Sequence, residues 1–345
     1  MIIRKKIKVL IVDDSLVFRE TLARGVALDN GIEVVATASD PYDARDKLIE
    51  YEPDVMILDV EMPKMNGIDF LRRLMPQYPI PTVIVSAAGQ NVFEALKVGA
   101  VDFVTKPDLN NIKGLENLIN ELIVKTKIAS VSKVGHWKCS TSQTVDNKSD
   151  VDSTGKIIAI GSSTGGTEAI FAILKKFPKN APGIVIVQHM PPNFTRMYAE
   201  RLNNSCLLEV REAKNGDKIY PGLALIAPGD YHMRVRKAGK LYTVECFKGE
   251  KVSGHCPSVD VLFESVANSA GPDAIGVILT GMGSDGAKGL LAMRQKGART
   301  IGQNEQSCVV YGMPKAAYDI GAVEKQTSLG DIPHWVYKML SRRLK

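Results

Sequence analysis

No apolar stretch in the chain approaches the roughly 18 to 20 residues needed to cross a bilayer, so membrane insertion is not expected. The N-terminus, MIIRKKIKVLIVDDS, carries acids where a secretory leader would have its small-residue cleavage site, and a cytoplasmic location is expected. The five cysteines (Cys139, Cys206, Cys246, Cys256 and Cys308) are odd in number and contain no C-x-x-C pair. That pattern argues against both a disulfide framework and a zinc knuckle and leaves reduced thiols as the reading. Aromatic residues make up only 6%, and with 45% hydrophobic and 24% charged residues the composition is neither disordered nor fibrous. A length of 345 residues favours two domains.

Charge is unevenly spread. Residues 1–125 carry 15 Lys+Arg against 19 Asp+Glu, whereas the rest carry 29 against 19. An acidic first half and a basic second half can attract each other, or the second half can face an acidic partner; charge alone does not choose. In the first half, continuous apolar runs (Val9–Val12, Val55–Leu58, Val83–Val85) alternate with helix-period segments, and Glu33–Ala38 and Asp102–Thr105 suggest two further strands. Strands apolar on both faces belong to a parallel sheet, so residues 1–126 are expected to form a doubly wound, flavodoxin-like α/β domain with five parallel strands. Residues 127–154 lack any period, are rich in small polar residues and read as a linker, with Trp137 in it as a candidate tether. Alternation resumes over residues 155–345, with a β-hairpin expected at Arg234–Phe247. This half is expected to be a larger α/β domain with a mostly parallel sheet and that antiparallel insertion.

Ligands of such sheets bind beyond the carboxyl ends of the strands, where Asp13, Asp14, Asp59, Ser86 and Lys106 fall. Three converging carboxylates call for a hard dication such as Mg²⁺, and a lysine with a hydroxyl suits phosphoryl oxygens. The motifs DDS at Asp13–Ser15, DVEMPKMNG at Asp59–Gly67, VSA at Val85–Ala87 and TKP at Thr105–Pro107 resemble a two-component receiver domain. The resemblance implies that Asp59 accepts a phosphoryl group from a histidine kinase and that Asp13, Asp14 and Asp59 hold Mg²⁺. It also implies that Ser86 and Lys106 sense the phosphoryl oxygens and that Phe103 is the switch aromatic.

In the second half, the run Lys156–Ile160 leads into Gly161-Ser162-Ser163-Thr164-Gly165-Gly166, a G-x-S-x-G centred on Ser163. Such a turn projects a serine above a sheet and aims helix-start amides at a developing anion, although a glycine-rich turn also cradles phosphates. A nucleophilic serine needs a base and an orienting acid. His189 follows an apolar strand and Asp285 follows another through a glycine-rich turn. His136 in the linker, His334 in the last helix, and His232 and His255 in loop or hairpin contexts are weaker candidates. The motifs GSSTGGTEAI, VQHMPPNFT, APGDYHM, GHCPSVDVLF and LTGMGSDGAKG resemble the catalytic domain of the chemotaxis protein-glutamate methylesterases, the CheB family.

That resemblance, joined to the receiver, spans the whole chain. It implies hydrolysis of glutamate methyl esters, and deamidation of glutamines, on the cytoplasmic helices of chemoreceptors. Ser163 would be the nucleophile, His189 the base and Asp285 its orienter, and the Met282 amide would stabilise the oxyanion; Thr164 N–H, next after the nucleophile, is on physical grounds a second donor. The esterase needs no metal, so Mg²⁺ belongs to the receiver alone, and no nucleic-acid partner is expected. The architecture suggests that the receiver restricts access to Ser163 until Asp59 is phosphorylated. Two rivals stand beside this reading: a DNA-binding response regulator, against which there is no helix-turn-helix pattern, and a nucleotide-binding output using the Gly161–Gly166 turn.

Overall fold

Each strand expected in the first half forms, and Ser15, Asp40 and Asn66, the polar residues ahead of three of its helical segments, become helix caps. The computed structural model of the protein describes residues 5–87, 89–107, 112–134, 154–239 and 241–341. The chain divides into two compact units, Met1–Lys138 and Cys139–Lys345.

In the first unit, β1 (Ile7–Val12), β2 (Ile32–Ala38), β3 (Val55–Asp59), β4 (Thr82–Ser86) and β5 (Asp102–Thr105) alternate with α1 (Leu16–Val26), α2 (Pro41–Tyr51), α3 (Gly67–Leu74), α4 (Gly89–Val98) and α5 (Ile112–Ser130). The sheet order is β2-β1-β3-β4-β5, all pairings parallel, which is the flavodoxin-like arrangement expected. Val9–Val12 and Val55–Leu58 are essentially inaccessible on both faces, as helices on either side require. Ser15, Asp40 and Asn66 cap the amides that open α1, α2 and α3. Helix α5 continues into the segment read as linker, because its buried stripe Leu118, Leu122, Thr126 and Ala129 keeps a helical spacing beyond Lys125. Trp137 and the remainder of that segment, residues 135–153, lie outside the described residues.

The second unit contains β6 (Ile157–Ser162), α6 (Gly166–Leu174), β7 (Gly183–Gln188), α7 (Phe194–Asn203), β8 (Glu209–Glu212), β9 (Lys218–Ile219), β10 (Leu223–Ile226), β11 (His232–Ala238), β12 (Leu241–Phe247), α8 (Val259–Ser269), β13 (Ala274–Ile278), α9 (Ala287–Gln295), β14 (Arg299–Gln303), α10 (Met313–Asp319), β15 (Lys325–Thr327) and α11 (Ile332–Ser341). Seven strands form one sheet in the order β15-β14-β13-β6-β7-β10-β8. Every pairing in it is parallel, so "mostly parallel" understates the sheet. The expected hairpin forms, yet it joins β9 in a separate three-stranded antiparallel sheet. Strands β8, β9, β14 and β15 were not legible in the sequence: they are short and polar or glycine-interrupted, and they gain their partners only in the assembled sheets.

Register decides where the chemistry sits. Gly161 pairs with Val187 on one side and Ile278 on the other, and Ser162 pairs with Gln188, so β6, β7 and β13 end at one level. β6 lies between β13 and β7, where the chain order reverses, which is the crevice position of open α/β sheets.

Candidate active site

Ser163 is the first residue past β6. Its amide donates to Thr280 O at 3.0 Å and its carbonyl accepts from Gly166 N–H at 2.7 Å, which closes the turn into α6. The turn depends on Gly165, which caps α6 with a left-handed φ of 77°. On the opposite wall, a Cβ on Gly281 would stand 2.7 Å from the Ser163 Cβ, so only glycine lets the segment following β13 approach the serine this closely. Its neighbour Met282 is 46% exposed, and the Met282 amide makes no hydrogen bond among the described residues, as an oxyanion donor requires. Thr164 is buried, its carbonyl accepting from Thr280 Oγ1 at 3.0 Å.

His189 is the first residue past β7, and its Nε2 meets Asp285 Oδ2 at 2.8 Å. Asp285 lies in the turn into α9, is 1% exposed and accepts three further bonds. These come from Ser258 Oγ (2.8 Å) and the Asp260 amide (3.0 Å) to Oδ1 and from the Val259 amide (2.8 Å) to Oδ2. Burial by itself would raise the pKa of this carboxyl, but the His189 bond and charge together with the Asp260 and Val259 amides outweigh it and hold the carboxyl below its ordinary value. With Nε2–H committed to Asp285, the lone pair of His189 is on Nδ1, which is buried and has no hydrogen-bond partner among the described residues. The base and acid expected from the sequence are therefore joined. Ser163 Oγ makes no hydrogen bond to His189 in this structure, although their strand ends adjoin through His189 N–H to Ser162 O at 3.2 Å. A loose nucleophile–base contact is common before substrate binds.

Ser162, the serine most easily mistaken for the nucleophile, is fully buried and donates to Gln188 Oε1 at 2.6 Å. Gln188 in turn donates to Ser163 O at 2.9 Å and His189 O at 3.2 Å, clamping the two strand ends together. Sequence reasoning missed Gln188 and Ser258; serine two residues before an acid and ahead of an apolar run reads only as a helix cap, which Ser258 also is. It also set aside His255, whose ring stacks on His189.

In the first unit, Asp13, Asp14 and Asp59 each offer an oxygen within 4.8 Å of the others. Asp13 and Asp59 are buried, Asp14 is exposed, and Lys106 Nζ lies 2.8 Å from Asp13 and 2.6 Å from Asp59. Burial, aided by the Asp13 charge, raises the Asp59 pKa to about 6 despite Lys106. Against its own burial, the two carboxylates hold the Lys106 pKa above the ordinary value. An all-oxygen donor set under this electrostatic stress fits a hard dication. Lys106 also sits 4.6 Å above the Phe18 ring, a support the motif does not reveal. Ser86, at the end of β4, is fully buried, and Phe103 packs inside β5 with Lys125 Nζ 5.0 Å from its ring centroid.

The CheB methylesterase family matches residues 158–336, and the response regulator receiver domain matches residues 9–116. A protein-glutamate methylesterase/protein-glutamine glutaminase from Syntrophomonas wolfei is 61% identical over 338 residues, covering 98% of this chain and 99% of its own. The chain belongs to the CheB methylesterase family. A relative of the same description from Salmonella typhimurium is 46% identical, with 97% of each chain covered. The crystal structure of the Thermotoga maritima CheB methylesterase catalytic domain superposes on 54% of this chain and 98% of that one, with 38% identity and a TM-score of 0.52. These similarities lend no support to a DNA-binding output. No helix among the described residues is long and apolar enough to cross a membrane.

Proposed function

We infer that the chain is a receiver-regulated protein-glutamate methylesterase and protein-glutamine glutaminase of chemotaxis, acting in the cytoplasm on glutamate methyl esters of chemoreceptors. The observation that carries the chemistry is the 2.8 Å bond between His189 and Asp285 beside the β6–α6 elbow that bears Ser163. Ser163 Oγ attacks the ester carbonyl while His189 Nδ1 takes its proton. The tetrahedral oxyanion is met by the Met282 amide, with Thr164 N–H as second donor, and collapses as His189 returns the proton to the departing methanol. Water, deprotonated by the same nitrogen, then releases the glutamate carboxylate and restores the serine. Glutamine follows the same course with ammonia leaving. Asp285 keeps the hydrogen on Nε2 and stabilises the imidazolium, so the ring nitrogens have the opposite roles from the serine-protease template.

In the receiver, Asp59 is the phosphoacceptor for a histidine kinase, and Asp13, Asp14 and Asp59 would hold Mg²⁺. The ion, when bound, supplies charge neutralisation at the phosphoryl oxygens. Lys106 and Ser86 contact those oxygens, and Phe103 reports the change. Methanol release from methylated receptor membranes tests the esterase assignment: Ser163→Ala should abolish it, and equal release by both proteins rejects Ser163. Removing residues 1 to about 150 should raise the rate, and an unchanged or lower rate from a folded fragment rejects this control by the receiver.

A further inference from the structure

Among the described residues a single hydrogen bond, that of Nε2 to Asp285, holds the His189 ring, while Nδ1 is buried with no partner among them. One bond leaves an imidazole free to pivot about it. The His255 ring limits that pivot: the two centroids are 3.7 Å apart and the planes differ by 12°. A built turn delivers His255. Val252 N–H donates to His255 O at 3.0 Å and His255 N–H to Val252 O at 2.9 Å, while Ser253 and Gly254 take φ values of 52° and 84°. A serine at positive φ costs free energy and persists where its surroundings over-determine it. Here Ser253 Oγ donates to Asp260 Oδ2 at 3.1 Å, and Asp260 Oδ1 accepts from Gly289 N–H at 2.8 Å, fastening the turn to α8 and α9. The segment that offers two amides to Asp285 thereby lays one imidazole on the other.

The titratable groups around His255 are His189, Asp285 and Lys251. Burial first, then His189, with Lys251 acting the same way against Asp285, brings its pKa down to about 4, so the ring is neutral at pH 7. A neutral neighbour adds no repulsion when His189 takes up the serine proton, and a π face is a favourable surface for a cation.

We propose that His255 is a positioning residue for the esterase: stacked on His189, it fixes the plane of the base while Asp285 fixes its tautomer, so that Nδ1 stays available to Ser163. This rests on the assignment of Ser163 and His189 as nucleophile and base. A stack works through a flat ring and not through ring nitrogens, so phenylalanine replaces it and leucine does not. With the full-length protein and methylated receptor membranes, H255L is expected to lower kcat about tenfold with KM within about twofold, while H255F stays within about threefold of wild type. Nitrogen-15 histidine spectra supply a readout independent of turnover: the Nε2–H resonance of His189 stays sharp in H255F and broadens in H255L.

Wild-type kcat and a sharp resonance in H255L overturn the proposal. So does an H255F protein as slow as H255L, since the nitrogens would then be what matters. If thermal unfolding shows that H255L does not fold, the comparison of H255F with wild type decides alone. Fluorophosphonate labelling of wild type but not of S163A tests the underlying assignment separately; labelling of both sinks that assignment while the spectra still report on the stack.

Discussion

Asp285→Asn exchanges one of two oxygens that between them accept four hydrogen bonds for a group that only donates. If the amide nitrogen replaces Oδ2, it confronts Val259 N–H and forces His189 to present Nε2 as an acceptor, which moves the ring hydrogen to Nδ1 and disables the base. If it replaces Oδ1, Ser258 can rotate its hydroxyl to accept, but Asp260 N–H is left facing a donor. Either way one buried amide loses its acceptor, a cost of about 2 kcal/mol. In a domain of this size that lowers the melting temperature by about 4–8 °C. Both orientations also remove the charge that stabilises the imidazolium, and a wrong tautomer in a comparable triad costs about 10⁴ in kcat, so a fall of about 10² to 10⁴ is expected. Methanol release gives the rate, thermal unfolding the stability, and histidine nitrogen-15 shifts the tautomer. A variant that melts like wild type would refute the hydrogen-bond account, and one that melts lower but keeps kcat within about threefold would make Asp285 a brace for α8 and nothing more.

The raised pKa of Asp59 predicts the sign of a pH effect. Between the unfolded value of 3.8 and the folded value of about 6 the folded state binds more protons, so the stabilisation is complete below 3.8 and is lost as pH rises through about 6. Without metal, the stability of wild type relative to Asp59→Asn should therefore fall by up to about 3 kcal/mol across that window in denaturant titrations. Mg²⁺ should restore it in wild type alone; a flat difference with pH, or equal Mg²⁺ stabilisation of both proteins, would contradict the cluster as described. Ser162→Ala should lower stability by about 1–2 kcal/mol by orphaning Gln188 Oε1, while fluorophosphonate labelling stays within about threefold of wild type. Loss of labelling in a folded Ser162→Ala protein would reassign the nucleophile.

Local pattern was enough for the parallel sheet of the first unit, for the strand-end positions of Asp13, Asp59, Ser163 and His189, and for Asp285 in the glycine-rich turn beyond another strand. Each follows from local facts: an apolar run on both faces makes a covered strand, and the residue after it lies at the sheet's carboxyl edge. The motif GSSTGG likewise announces a strand-to-helix elbow whatever surrounds it. What local pattern does not encode is which strands become neighbours. β14 and β15 hold their places only by pairing beside β13, and the hairpin left the main sheet to pair with β9. The same limit governs the site. Gln188 as a clamp, Ser258 and two amides around Asp285, and His255 lying flat on His189 are contacts between segments tens of residues apart. Folding decides them because a hydrogen bond or a ring stack depends on distance and direction in space, and neither is written in the order of the residues.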